Sequence, residues 1–175
     1  SYFLLFNGCS KNSVNWYIGN LESALKSADN KIIMIDFYTD WWYACNLLDA
    51  NTFSDKNTSE YLNQNFINIK IDAETQYGNK LFSEFNGTGY PLLLFLDSKK
   101  NELERFYGFL EAEQFLEKLT DIKNGNNTFP VLQAQFESGD NSAETMSILA
   151  SKYAERGNDS LAVLLYQNVI ISYDR

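Results

Sequence analysis

Cys9 and Cys45 are the only two thiols in this 175-residue chain, and there is no histidine. The missing imidazole removes Ser-His-Asp and Cys-His catalysis and every zinc site that depends on it, and two cysteines cannot complete a four-thiolate metal site. No carboxylate cluster has the spacing of an EF-hand loop, and no glycine cluster fits a phosphate-binding turn. No metal and no cofactor is expected. What remains is thiol chemistry at Cys45, which ends the run Trp41-Trp42-Tyr43-Ala44-Cys45 downstream of Asp36. A single thiol there can form mixed disulfides. It can equally be a small apolar core residue, as most free cysteines are.

The elements that must position this chemistry follow from periodicity. Residues 16–29 place Leu21, Ala24, Leu25 and Ala28 at helical spacing. Ile32–Tyr38 is a continuous apolar run with one acid, Asp36, as in a central strand buried on both faces. A helix should begin near Trp42 and carry Ala44, Cys45, Leu47 and Leu48. Phe66–Asp72 alternates and predicts a strand. Residues 80–85 predict a short helix closed by Asn86-Gly87. Leu92–Leu96 is a further apolar strand, residues 97–101 a turn, and residues 103–107 its hairpin partner. Residues 111–119 close the unit with a helix. Alternating strands and helices that end in a hairpin predict an α/β fold with a mixed sheet flanked by helices. With 45% hydrophobic and 15% aromatic residues the chain can bury such a core. A net charge of −9 argues against a nucleic-acid partner.

Asp36-Phe37-Tyr38-Thr39-Asp40-Trp41-Trp42-Tyr43-Ala44-Cys45 resembles the thioredoxin signature, in which an acid-Phe-aromatic run leads into Trp-Cys-x-x-Cys. Thr88-Gly89-Tyr90-Pro91, followed by Leu92-Leu93-Leu94-Phe95, resembles that family's cis-proline loop and its next strand. Gly108 fits the glycine after the hairpin. The chain is thus similar to the thioredoxin-like family, of the envelope thiol-disulfide oxidoreductase type. The resemblance implies a thioredoxin-like mixed sheet flanked by helices. In the family the first cysteine sits at a helix N-terminus, where the dipole and free N–H groups stabilise its thiolate. That thiolate attacks a substrate disulfide, and the second cysteine resolves the mixed disulfide.

Here the motif is degenerate. Trp42 occupies the first position and Cys45 the resolving one. Asp36 matches the buried acid that accepts the resolving cysteine's proton, a role left vestigial by the change. The Tyr90–Pro91 bond is expected to be cis and to face the active-site helix, with Tyr90 offering backbone to an extended client peptide. Trp42, Tyr43, Tyr90 and Pro91 are the candidate binding residues. With Trp41, the aromatics form one exposed surface, unless two of them fold inward, Trp41 first. Three readings of Trp42 stand open: a redox-inactive member that binds protein or peptide, a monothiol reductase or isomerase using Cys45, and an altered position in an otherwise active enzyme. A structural scaffold carried by the helical extension is a further class.

Before the domain, Tyr2 to Phe6 is an apolar run followed by Asn7-Gly8-Cys9-Ser10. It resembles a bacterial lipobox, which makes Cys9 a candidate for lipid attachment and membrane anchoring. The alternative is an N-terminal strand with an ordinary thiol. The expected setting is the bacterial periplasm or the cell envelope by a lipid anchor. Residues 1–13 form this N-terminal segment, residues 14–122 the thioredoxin-like domain, residues 123–130 a polar linker, and residues 131–175 a helical extension. In the extension Leu149, Ala150, Tyr153, Gly157, Ala162, Tyr166 and Val169 resemble a tetratricopeptide repeat in their register, with a plain helical hairpin as the alternative.

Overall fold

The computed structural model describes residues 13–173. Cys9 and the apolar run before it lie outside the described residues. Four strands, β1 (Ile32–Tyr38), β2 (Phe66–Asp72), β3 (Leu92–Leu96) and β4 (Glu102–Tyr107), form one sheet in the order β2-β1-β3-β4. β2 is parallel to β1, whereas β3 is antiparallel to both β1 and β4. The period of two along each strand separates two cores. Ile33, Ile35 and Phe37 of β1 join Leu92, Leu94 and Leu96 of β3 against α1 (Leu21–Ser27) and α4 (Gln76–Glu84). Met34, Leu93 and Phe95 face the other way, onto α3 (Lys56–Asn65) and α5 (Ala112–Asn124). The architecture is the mixed α/β sheet with flanking helices that the pattern implies.

Two expectations need correction. Residues 16–20 do not belong to the first helix. Trp16 forms a parallel bridge to Asn68, and the Tyr17 N–H donates to the Asn68 carbonyl at 2.6 Å. α1 starts only at Leu21, where Asn20 and Ser23 build a reciprocal capping box. α3 was not anticipated. It is capped by Asp55 and buries Thr58 and Ser59 beside Leu62, so its inner face is largely polar by composition. The helix after β2 is also longer than expected and begins at Gln76, capped by Thr75.

The extension holds α6 (Phe129–Glu137), α7 (Ala143–Glu155) and α8 (Asp159–Tyr173) around Leu132, Met146, Leu149, Ala150, Leu165 and Val169. α5 runs to Asn124 and ends on Gly125 at φ +73°, and Pro130 lies in the first turn of α6. The connection is therefore residues 125–128, shorter than the polar composition suggests. An ionic cluster joins the extension to edge strand β4. Lys152 pairs with Glu104, and Arg156 pairs with Glu102 at 2.7 Å and Glu104 at 3.5 Å. Arg105 pairs with Glu102 and donates to the Phe85 carbonyl at 2.9 Å. Glu104 and Arg105 are only 3% and 2% exposed. Charges are retained at such depth only when paired and hydrogen-bonded.

Candidate functional site

β1 ends at Tyr38, and a short loop leads to α2 (Tyr43–Leu47). Trp42 is the N-cap of α2, with extended backbone and no side-chain capping bond, because an indole offers no acceptor. The Cys45 and Asn46 N–H groups close the first turn onto the Trp42 carbonyl at 3.1 and 3.3 Å. A single π-helical turn, Leu48–Thr52, follows directly. Such turns re-aim a helix and are common near functional sites.

Cys45 faces inward and is 4% exposed. Burial pushes its thiol pKa up, and the nearby Asp36 and Asp49 carboxylates add to this. A hydrogen bond from the Thr39 backbone and the Lys70 charge work in the opposite direction without reversing the shift. Asp36, buried on the same side of β1, has its carboxyl raised to about 7, chiefly by loss of solvent. Its Oδ1 has no hydrogen-bond partner. Lys70, its register neighbour on β2, approaches Oδ2 at 3.7 Å. Lys70 also pairs with Asp49 on the π turn and lies 4.7 Å from the Tyr38 ring centre.

Lys70 and Asp49 were missed by sequence reasoning. The alternation gave no signal for them: Ile67, Ile69 and Ile71 mark the apolar face of the strand, which puts Lys70 with Asn68 and Asp72 on what reads as the polar one.

The aromatic residues are not folded inward as the opposing arrangement requires. Trp41 is 62% exposed, Trp42 44% and Tyr43 73%. The two indoles meet edge to face with centres 5.4 Å apart, and Trp41 Nε1–H donates to Glu74 at 2.9 Å. Tyr90 is half-buried and rests on Phe82, with ring centres 4.7 Å apart. Burial raises its phenol pKa, helped by Glu74, Asp72 and Cys45, and the pairing of Leu92 with Phe37 sets Tyr90 at the end of the sheet where β1 leads into α2. The Tyr90–Pro91 peptide is cis, and the Pro91 ring is buried. Among the described residues the Tyr90 backbone makes no bond to other main chain. Among the described residues no group of three or more acidic, Cys or His side chains could hold a metal ion.

The arrangement brings Trp42, Cys45, Asp36 and Tyr90 to one end of the sheet. It offers no thiol at the helix N-terminus and one poorly ionised thiol within it. Residues 1–110 match the family described as "Thioredox_DsbH: Protein of unknown function, DUF255". A thiol:disulfide interchange protein DsbD from Yersinia pestis (strain Pestoides F) is 36% identical over 102 residues, which cover 57% of this chain and 17% of that protein. The protein of the same name from Campylobacter jejuni (strain RM1221) is 35% identical over 115 residues, covering 63% and 20%. The chain thus spans a fifth or less of these curated relatives. Among solved structures, a DsbH oxidoreductase superposes with a TM-score of 0.53 at 17% identity, covering 71% of this chain and 95% of that one. At that identity the likeness is one of fold.

Proposed function

The chain belongs to the Thioredox_DsbH family of thioredoxin-like, thiol-disulfide oxidoreductase domains, and from that membership we propose a member that has lost its own dithiol cycle and works by holding polypeptide. The observation that carries this reading is Trp42: an exposed indole stands at the helix N-cap where the resemblance calls for the nucleophilic cysteine. An indole cannot attack a disulfide. Cys45 is a poor substitute, because it is buried and its pKa is raised rather than lowered. This speaks against the monothiol alternative.

The binding side of the proposal rests on different groups. Trp41, Trp42 and Tyr43 give an exposed aromatic surface, and the unpaired Tyr90 backbone suits an extended client that adds as a strand. Pro91 contributes by setting the Tyr90 conformation. Clients are proteins or peptides. The setting we favour is the bacterial cell envelope, periplasmic or lipid-anchored through Cys9, supported by likeness to the DsbD relatives. Among the described residues no helix is long and apolar enough to cross a membrane. The α7–α8 hairpin, with its turn at Gly157, is compatible with a tetratricopeptide-like extension. Dithiothreitol-driven insulin reduction tests the chemistry. The protein should not exceed the uncatalysed rate, and turnover dependent on Cys45 would replace this reading with the monothiol one.

A further inference from the structure

The buried guanidinium of Arg105 bonds to separate parts of the chain. Nε donates to Glu102 at 2.7 Å, and Nη2 pairs with the same carboxylate. Nη2 also donates to the Phe85 carbonyl at 2.9 Å. Nη1 reaches the Tyr107 hydroxyl at 3.3 Å and the Glu155 carbonyl at 3.5 Å. Phe85 is the C-cap of α4, and Glu155 is the last residue of α7. The final carbonyls of a helix have no partner within it, and a cation suits that end of its dipole. One side chain on β4 therefore serves the C-termini of two helices far apart in sequence.

From the end of α4 the chain leads directly into the loop that carries the cis peptide. The Asn86 N–H donates to the Ser83 carbonyl at 3.1 Å and the Gly87 N–H to the Phe82 carbonyl at 2.8 Å. Gly89 passes beside Tyr107, where a Cβ would stand 3.7 Å from the phenol ring. The Gly108 N–H donates to the Pro91 carbonyl at 3.0 Å. The loop is thus held between α4 and β4, and Arg105 joins those two holds through Phe85 and Tyr107. On the other side, Arg156 is the C-cap of α7 and pairs at 2.7 Å with the same Glu102 oxygen that accepts from Arg105 Nε. Two arginines share one carboxylate, so displacing α7 frees Glu102 and loosens the grip of Arg105 on Phe85.

We propose that Arg105 is a positioning residue that makes the conformation of the proline loop depend on the seating of α7 against β4. Resting on the client-binding reading above, the consequence is that polypeptide binding at Tyr90 is coupled to the helical extension. The test uses the full chain, with amide exchange by NMR and binding of reduced, alkylated insulin B chain by fluorescence anisotropy. Arg105→Lys keeps a cation against Glu102 but gives up the planar fork of donors. Arg156→Gln cuts the link from α7 and changes no group in the loop. Each should speed exchange at Asn86, Gly87 and Gly108 at least about tenfold more than at Ile35 and Leu94 in the core. Each should also weaken B-chain binding at least about fivefold. Arg156→Lys, which returns a cation to Glu102, should recover most of both effects. An arginine with a structural role alone would speed exchange evenly through the sheet, and that pattern overturns the proposal. So does a loop that neither variant moves, or B-chain binding that stays unchanged while the loop opens. An unmodified chain that binds no B chain refutes the client reading by itself. The exchange pattern then decides the link from α7 to the loop: confined to the loop it upholds Arg105 as that link, and spread evenly it refutes it.

Discussion

Replacing Trp42 by cysteine tests whether the rest of the thioredoxin machinery is intact. The new thiol would stand at the N-cap of α2, where the backbone is already extended and the following turn is formed. A helix N-terminus stabilises an adjacent negative charge by about 1 kcal/mol, up to about 2 when partly buried. At about 1.4 kcal/mol per pKa unit, that lowers the thiol from about 8.5 to about 7.5. The thiolate fraction at pH 7 would rise from about 3% to about 25%, close to a tenfold gain in reactive species. Cys45 would then have a mixed disulfide to resolve. Asp36, with its carboxyl near 7, is partly ionised at neutral pH and so able to take a proton in the role the family resemblance gives it. Trp42→Cys should therefore raise insulin reduction at least about tenfold above the unmodified protein, while alkylation against pH should give the new thiol a pKa below 8. The reasoning is refuted by a folded variant that forms the disulfide between positions 42 and 45 yet does not catalyse. A new thiol that titrates at or above 8.5 refutes it as well.

Trp42→Ala should weaken binding of reduced, alkylated insulin B chain at least about fivefold by fluorescence anisotropy, with a melting temperature moved by less than about 2 °C because the indole is exposed. A sharp fall in melting temperature would make Trp42 a structural residue instead. Asp36→Asn should stabilise the protein at pH 8. Folding raises the Asp36 pKa to about 7, so the native state holds a proton that the unfolded chain releases near pH 4, and stability falls as pH rises through that window. Removing the charge recovers up to roughly 4 kcal/mol above pH 7 and nothing below pH 4, which thermal melts across pH can check. Lys152→Ala leaves Glu104 buried with the longer Arg156 ion pair and the Arg105 backbone N–H. It should cost about 3 kcal/mol in urea unfolding, and a loss below about 1 kcal/mol would mean the cluster is solvated.

Strands were the most legible part of the fold. Ile32–Tyr38 and Phe66–Asp72 coincide with the structure to the residue, because a buried strand writes its burial directly into its composition. Helices whose inner faces are polar or small were not legible. α3 buries Thr58 and Ser59, so no apolar stripe announced it, although Asp55 was a readable cap. The first helix was read too long because Trp16, which packs against Phe53 and pairs beside β2, fits the helical spacing by coincidence. At the site, the buried Asp36 on β1, Cys45 on the helix after it and the cis Tyr90–Pro91 bond were legible because each depends on local sequence. The Lys70–Asp49 pair and the β4–α7 cluster were not, since they join residues far apart in the chain. Glu102, Glu104 and Arg105 look like the solvent face of a hairpin, and only the docked extension turns them into interior groups.

That docking changes what counts as a unit in this molecule. β4 is the outer strand of the sheet, and the partners of its inward charges come from α7, beyond a connection of four residues. Cutting the chain after α5 would remove Lys152 and Arg156, leave Glu104 buried without a cation while Glu102 and Arg105 keep each other, and uncover an edge strand, the kind of surface that recruits foreign strands. We therefore expect the polar linker not to act as a boundary in folding. The sheet and the helices after it should melt as one cooperative body rather than as separable modules.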